Sequence, residues 1–270
     1  MLFQLFSTIL YLLLAASLSQ THPSPHLDST QQPLLQPHHL HNNNTLRPIT
    51  RADIPALATI YIEAFAPSAL WHYTFPHLDS RTKPALHACI TAQLTQAWPT
   101  RNKTTTFANV ITVPDHEADG ADTAVALAVW NLREAPSEKE EASPLNAFSP
   151  SALLDSCNPW PGANATRQVS LAGQFSEIDE KYFQHAYERQ FYLALLATHP
   201  SWDGNGFGAA HCEWGMGVAK ARNLPVTLLA TQVGWPLYDS LGFEGLANVS
   251  LRFDEEGWEE PWFEVMEWHA

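Results

Sequence analysis

The chain has 270 residues, 45% hydrophobic and 16% charged, enough apolar material for one or two packed domains and too little charge for a disordered polyelectrolyte. Fourteen Lys and Arg stand against 28 Asp and Glu, and the net charge of −14 argues against a protein that tracks nucleic-acid phosphates while admitting a cationic or neutral small partner. Three cysteines, Cys89, Cys157 and Cys212, without CxxC spacing exclude a disulfide scaffold and a zinc ribbon and leave room for at most one bridge.

Residues 1–20 carry no charged side chain, and the apolar run Ile9 to Ala16 leads into Ser17-Leu18-Ser19, small where a signal peptidase reads. We expect a secretory signal over 1–19. The first basic residue is Arg47, so only the α-amino group supplies positive charge ahead of the run. The run is shorter than the ~20 residues a bilayer-spanning helix needs, and an uncleaved anchor starting at Leu2 is the alternative. After cleavage no stable membrane insertion is expected. Residues 20–45 are rich in Pro, Gln, His and Asn and read as a disordered linker whose histidines are assigned no metal site. Asn-x-Ser/Thr sequons at Asn43, Asn102, Asn164 and Asn248 agree with a secreted glycoprotein.

The folded part is expected over 46–270 as one domain. Leu46 to Thr50 reads as a strand, and Thr50-Arg51-Ala52-Asp53 has the form of a helix start, followed by Leu57, Ile60, Tyr61 and Ala64 at helical spacing. A second helix is expected from Lys83 to Trp98, with Leu86, Ile90 and Leu94 on one face. Between them lies an aromatic loop, Trp71 to Pro76; it is either a structural plug or the lip of a substrate pocket formed by Trp71, His72 and Phe75. Thr104 to Val113 and Thr123 to Leu132 have β-rich composition and suit a central hairpin. Residues 134–175 lose periodicity and gain Glu and Pro, which reads as an insertion with at most short helical pieces. Glu177 to Gln190 is helical in character, and Phe191 to Ala197 is an apolar run of strand length.

The most informative stretch runs from Leu195 through His199-Pro200 and Asp203-Gly204-Asn205-Gly206-Phe207-Gly208 to Ala210, in the order strand, glycine-rich turn, helix. Glycines let the backbone turn tightly, successive N–H groups converge, and a helix N-terminus adds partial positive charge, so a pyrophosphate can be held without a basic side chain. A plain tight turn into a packed helix is the simpler alternative. The helix continues to Arg222-Asn223-Leu224-Pro225, a strand Val226 to Ala230 follows, and then Gly234-Trp235-Pro236-Leu237-Tyr238-Asp239-Ser240-Leu241-Gly242-Phe243-Glu244.

Taken together, His199-Pro200, Gly206-Phe207-Gly208 and Leu237 to Phe243 resemble the GCN5-related N-acetyltransferase family, most closely its fungal-type members, over Leu46 to Glu244. The opening Arg47-Pro48-Ile49-Thr50-Arg51-Ala52-Asp53 is also similar to that family's start. The resemblance implies an α/β (α+β) fold with a mixed, mainly antiparallel sheet flanked by helices. Two central strands would splay, and acetyl-CoA, as cosubstrate, would lie in the wedge. It further implies that Leu196, Ala197 and Thr198 contact pantetheine, that Asp203, Gly204, Asn205, Gly206, Phe207 and Gly208 form the pyrophosphate loop, and that acetyl passes directly to an amine. Tyr238 matches the general acid that protonates the departing thiolate, a task suited to a phenol of pKa ~10.

The loop departs from the family's pattern, since Asp203 stands where Gln or Arg is usual and positions 204 and 205 lack the common basic residues. His199, Glu134 and Glu188, or a bound water, are candidates for the base. Cys212 is read as a packed small hydrophobe, and no metal site is expected. The expected function is acetyl transfer to a primary amine of a small molecule in the secretory pathway. The rival is a secreted, non-catalytic binding or effector protein on the same scaffold.

Overall fold

A computed structural model describes residues 38–40, 43–97, 105–114, 122–134, 157, 160–184, 186–253 and 257–270. The expected signal at 1–19, most of the linker, Asn102 and Glu138, Glu140 and Glu141 of the insertion lie outside the described residues. The strands are β1 His38–His39, β2 Thr45–Pro48, β3 Thr106–Pro114, β4 Asp122–Glu134, β5 Arg189–Thr198, β6 Val226–Thr231, β7 Glu244–Ser250 and β8 Trp262–Trp268. The helices are α1 Ile54–Phe65, α2 Ala69–Thr74, α3 Lys83–Ala97, α4 Ala165–Asp179, α5 Phe207–Ala221 and α6 Trp235–Ser240. The strands form a single sheet in the order β1-β2-β3-β4-β5-β6-β8-β7.

Every junction in that sheet is antiparallel except β5 with β6, which is parallel. A parallel neighbour requires a crossover, and α5 supplies it. Helices cover both faces, which is why β4 is buried continuously from Val125 to Asn131 instead of alternating. Ala128 and Trp130 pack under Cys212, Val218 and Ala219 of α5, while Leu127 and Val129 face Leu57 and Ile60 of α1. At the start of the domain, Asp53 binds Arg47 through two contacts of 2.8 Å and accepts the backbone N–H and hydroxyl of Thr50. That carboxylate is held below its ordinary pKa, because these bonds outweigh the cost of its burial.

The structure moves several expected boundaries. His38 and His39 lie in the expected linker yet pair with Leu46 and Thr45, so the sheet starts before residue 46. Trp71 to Thr74 belongs to α2, a helix started by the Ser68 hydroxyl accepting the Trp71 N–H at 3.1 Å. Within the expected insertion, Ala165 begins a full helix capped by Asn164, whose side chain accepts the Arg167 N–H at 3.1 Å. That helix ends at Asp179 and passes through a π turn, Glu180–Gln184, so the expected helical stretch to Gln190 is cut short by β5.

One disulfide joins Cys89 of α3 to Cys157, while Cys212 is free and buried. Around the bridge gather Tyr61, Trp71, Phe75, Leu86, Ile90 and Trp160. At the far side of the sheet β7 is the edge strand, and an irregularity between Gly245 and Ala247 leaves Leu246 47% exposed. No described helix is long and apolar enough to cross a membrane.

Candidate active site at the split between two central strands

Strands β5 and β6 share only three residue pairs, Phe191 with Val226, Tyr192 with Thr227 and Leu193 with Leu228. Beyond Leu193 they part. On its other edge β5 stays paired with β4 as far as Thr198, but the register jumps between Val129–Leu195 and Trp130–Leu193, leaving Ala194 as an extra residue. A bulge bends its strand and increases the local twist, so Ala194 supplies the local cause of the parting. Below the split the two strands are clasped by a buried bond from the Thr227 hydroxyl to the Gln190 side-chain oxygen. Above it Ala194, Leu195, Leu196 and Thr198 are only half-buried, although they belong to the centre of a sheet covered on both faces.

The open edge of β5 runs into the glycine-rich turn. His199 accepts the Ser201 N–H on Nδ1 at 3.2 Å and begins the short turn Pro200–Trp202. Gly204 and Gly206 have φ of +78° and +76°, a region that a side chain makes costly, and Gly206 is the residue from which α5 starts. The Asn205 side chain donates to the carbonyls of Trp202 and Asp203. The N–H groups of Gly204, Asn205 and Gly206 have no acceptor among the described residues, and the first N–H groups of α5 have none within their helix. Asp203 is exposed and in no ion pair among the described residues. The loop is therefore a backbone anion cradle with a carboxylate beside it.

Two motifs separated along the chain meet here. Gly208 lies against Leu237 and Leu196, so α5, α6 and the open part of β5 converge at one position where a side chain is missing. Tyr238 follows Leu237 on α6, is 7% exposed, and packs edge-on against Phe243 with ring centroids 5.7 Å apart. Its hydroxyl has no hydrogen-bond partner among the described residues. Burial pushes the phenol well above its ordinary range, and the nearby Cys212 and Tyr192 push it further. Burial likewise raises the Cys212 thiol to about 12, so it is a neutral packing group and not a nucleophile at neutral pH.

The remaining expected residues separate. Leu196, Ala197 and Thr198 all lie on the stretch of β5 that pairs with β4 but not with β6. Ring packing buries Trp71 and Phe75, and His72 alone of the three is exposed. Their cluster nevertheless packs against Ala194 and Leu195, so they form a wall beside the split on the α1 side of the sheet. Glu134 binds Arg189 at 3.1 Å, and Glu188 precedes it; both stand at the paired end of β5, at least five residues or about 17 Å along the strand from the split. Of the three base candidates only His199 is at the open end.

Sequence reasoning missed the Ala194 bulge and the polar support beside it. Arg133, half-buried, and Asp179, buried, form an ion pair at 2.6 Å, Gln184 also donates to Asp179, and the guanidinium sits 3.6 Å over the Tyr192 ring. No spacing in the chain announces that pair, whose members are 46 positions apart. Among the described residues no group of three potential metal ligands converges.

No protein-family model matches the sequence, and no curated protein matches it. Solved structures do. A mosquito arylalkylamine N-acetyltransferase-like protein superposes with a TM-score of 0.50 at 10% identity, over 84% of this chain and 100% of its own. A histone acetyltransferase HPA2-related acetyltransferase from Corynebacterium glutamicum gives 0.49 at 19% identity, over 83% and 96% of the two chains. The polyamine N-acetyltransferase of Drosophila melanogaster gives 0.49 at 13% identity, over 84% and 100%. With its mixed, mainly antiparallel sheet, flanking helices and parted central strands, the chain has the fold of the mosquito N-acetyltransferase-like protein.

Proposed function

We propose that the chain is an N-acetyltransferase that moves acetyl from acetyl-CoA directly to the primary amine of a small molecule. The observation that carries this reading is the split itself: an unpaired strand edge ends in a backbone N–H cradle, with a buried, protonated phenol beside it. The residues fit the cosubstrate. Ala194 to Thr198 present backbone groups to an amide-bearing chain, and the loop from Gly204 to Gly206 with the first turn of α5 presents N–H groups to a pyrophosphate. Acetyl-CoA supplies an activated thioester. The cradle and the strand edge orient it, and Tyr238 holds a proton for the departing sulfur. The neutral thiol of Cys212 favours direct transfer over an acyl-enzyme.

The acceptor side is assigned to the aromatic wall of Trp71 and Phe75, and the acidic chain favours a cationic acceptor in solution. A secretory location is supported by the uncharged leader, the Cys89–Cys157 bridge and the exposed sequon residues Asn43 and Asn248. Protein from the native host should begin near Gln20 and carry glycan; an unprocessed, unglycosylated chain would overturn that location.

The exposed carboxylate of Asp203 at the cradle favours a second reading, a binding protein that has lost the cosubstrate. Calorimetry of the purified chain with acetyl-CoA and CoA, followed by a thiol-release assay with a panel of amines, separates the two. Binding with turnover supports the transferase, and absence of binding supports the rival.

A further inference from the structure

We propose that the Cys89–Cys157 disulfide is a positioning element of the amine site, pinning the aromatic wall beside the split. The inference rests on the transferase reading above. Cys89 belongs to α3 and Cys157 to the segment that leads into α4, with Cα atoms 5.6 Å apart. Three residues on, Trp160 stacks on Phe75 with centroids 6.0 Å apart; Phe75 lies 4.4 Å from Trp71, and Trp71 meets Tyr61 edge-on at 5.9 Å. Two backbone bonds stitch the same segment to the end of α2, from Asn164 N–H to the Thr74 carbonyl and from His77 N–H to the Gly162 carbonyl. The cluster rests on Ala194 and Leu195, the first two residues of β5 beyond its last pair with β6.

The wall is more than apolar filler. The indole N–H of Trp71 is buried with no acceptor among the described residues, which leaves a hydrogen-bond donor unsatisfied beside the split. Aromatic faces also attract cations, so an alkylammonium with an apolar body suits this wall. Besides the bridge, the ties described between this segment and α2 are ring packing, the two backbone bonds and the Arg167 guanidinium, which donates to the Tyr73 carbonyl at 2.9 Å. The bridge forms by exchange with a disulfide donor: the Cys89 and Cys157 thiols lose two protons, their sulfurs join, and the donor disulfide takes two electrons and leaves as two thiols. An oxidising compartment therefore completes the amine site.

The test compares the full oxidised chain with Cys89→Ser/Cys157→Ser and with Trp160→Ala, which keeps the bridge. Acetyl transfer to phenylethylamine, calorimetry with acetyl-CoA and amide hydrogen exchange are measured on each. We expect KM for the amine to rise about tenfold in both variants, with kcat and acetyl-CoA affinity changed less than about threefold. Exchange should quicken in Ala69–Thr74 of the double-serine chain and stay slow in Phe207–Ala221. An unchanged amine KM in Trp160→Ala, or unchanged exchange in α2 of the double-serine chain, overturns the proposal. Should the double-serine chain fail to fold, Trp160→Ala decides. A wild-type chain that binds acetyl-CoA but acetylates no amine defeats the transferase reading on its own, and α2 exchange then decides the role of the bridge.

Discussion

Gly208 and Leu237 touch across two helices: a Cβ on Gly208 would lie 3.0 Å from a Leu237 methyl and 3.8 Å from a methyl of Leu196. The neighbour that must yield is the flexible end of a leucine. Gly208→Ala should therefore change stability by less than about 1 kcal/mol, the gain in helix propensity offsetting the displaced methyl. Because Tyr238 follows Leu237, turnover should fall more than acetyl-CoA affinity does. Gly215 on the same helix is the contrast. There a Cβ would lie 2.2 Å from the Trp130 ring, itself stacked on Phe191 and unable to retreat, so Gly215→Ala should cost about 2 kcal/mol or more. Thermal unfolding of the two variants side by side checks the pair, and equal stability would contradict the packing described.

Tyr238→Phe keeps the ring and its edge-on contact with Phe243 while removing the acidic proton. General acid catalysis contributes roughly 10²- to 10⁴-fold, so kcat should drop by at least about a hundredfold with acetyl-CoA affinity nearly intact. The Tyr238 hydroxyl has no partner among the described residues, so its loss leaves no polar group stranded and the fold should hold. Unchanged turnover would assign the proton to water or to another side chain.

Asp203→Gln removes the carboxylate beside the cradle. Because the residue is exposed, its repulsion of a pyrophosphate is screened. CoA should bind about two- to fivefold tighter at low ionic strength, and the difference should shrink in salt. Calorimetry at two salt concentrations reads it directly, and equal affinities at low salt would show that Asp203 points away from the phosphates.

His211 is fully buried on α5, against the backbone of Ala126, with neither ring nitrogen in a well-formed hydrogen bond. Burial lowers its pKa from 6.5 to about 3. The folded chain thus keeps this imidazole neutral while the unfolded chain takes up a proton below pH 6.5, so its contribution to stability is complete above that pH and is lost as pH falls towards 3. The slope approaches about 1.4 kcal/mol per pH unit, and roughly 1.5 kcal/mol should vanish between pH 6.5 and about 5, before most carboxylates titrate. Denaturant unfolding across that window should flatten in His211→Leu. A wild-type chain equally stable at both ends would show that the imidazole finds water or a partner.

The strands flanking the split could be read from the chain because each is a dense β-branched or leucine-rich run ended by glycine or proline, as in Phe191 to Ala197 and Val226 to Ala230. The Leu237 to Phe243 motif found its place for a similar reason, since its residues act within one short helix and its exit. What stayed hidden depends on distant contacts. Leu171, Phe175 and Ile178 are the main apolar marks of α4 in an otherwise polar stretch, and they bury a face only because Tyr73, Phe263 and Val265 arrive from elsewhere. A six-residue helix such as α2 is too short to show a period, and its aromatics read equally well as loop or wall. Three cysteines permit three pairings, and only the approach of α3 to Cys157 selects one. The hairpin of β7 and β8 lies past the last recognisable motif, and insertion of β8 between β6 and β7 leaves no local trace.

The three residue pairs that join β5 to β6 also set how the sheet carries load. On one side stand β2 to β5, with the two-pair edge strand β1 outside them, and on the other β6, β8 and β7, each block laced internally by longer antiparallel ladders. The seam between them is shorter than every ladder inside either block, so shear between the blocks falls on Phe191 to Leu193, the Gln190–Thr227 clasp and the span of α5. A molecule lying in the gap and bonding to both sides would act as a brace across that seam, stiffening the two blocks into one body. At a hundredfold excess over its Kd such a brace adds about 2.7 kcal/mol to the folded state. Its arrival would then register as slower amide exchange in the short strand β6 as well as in the loop that grips it.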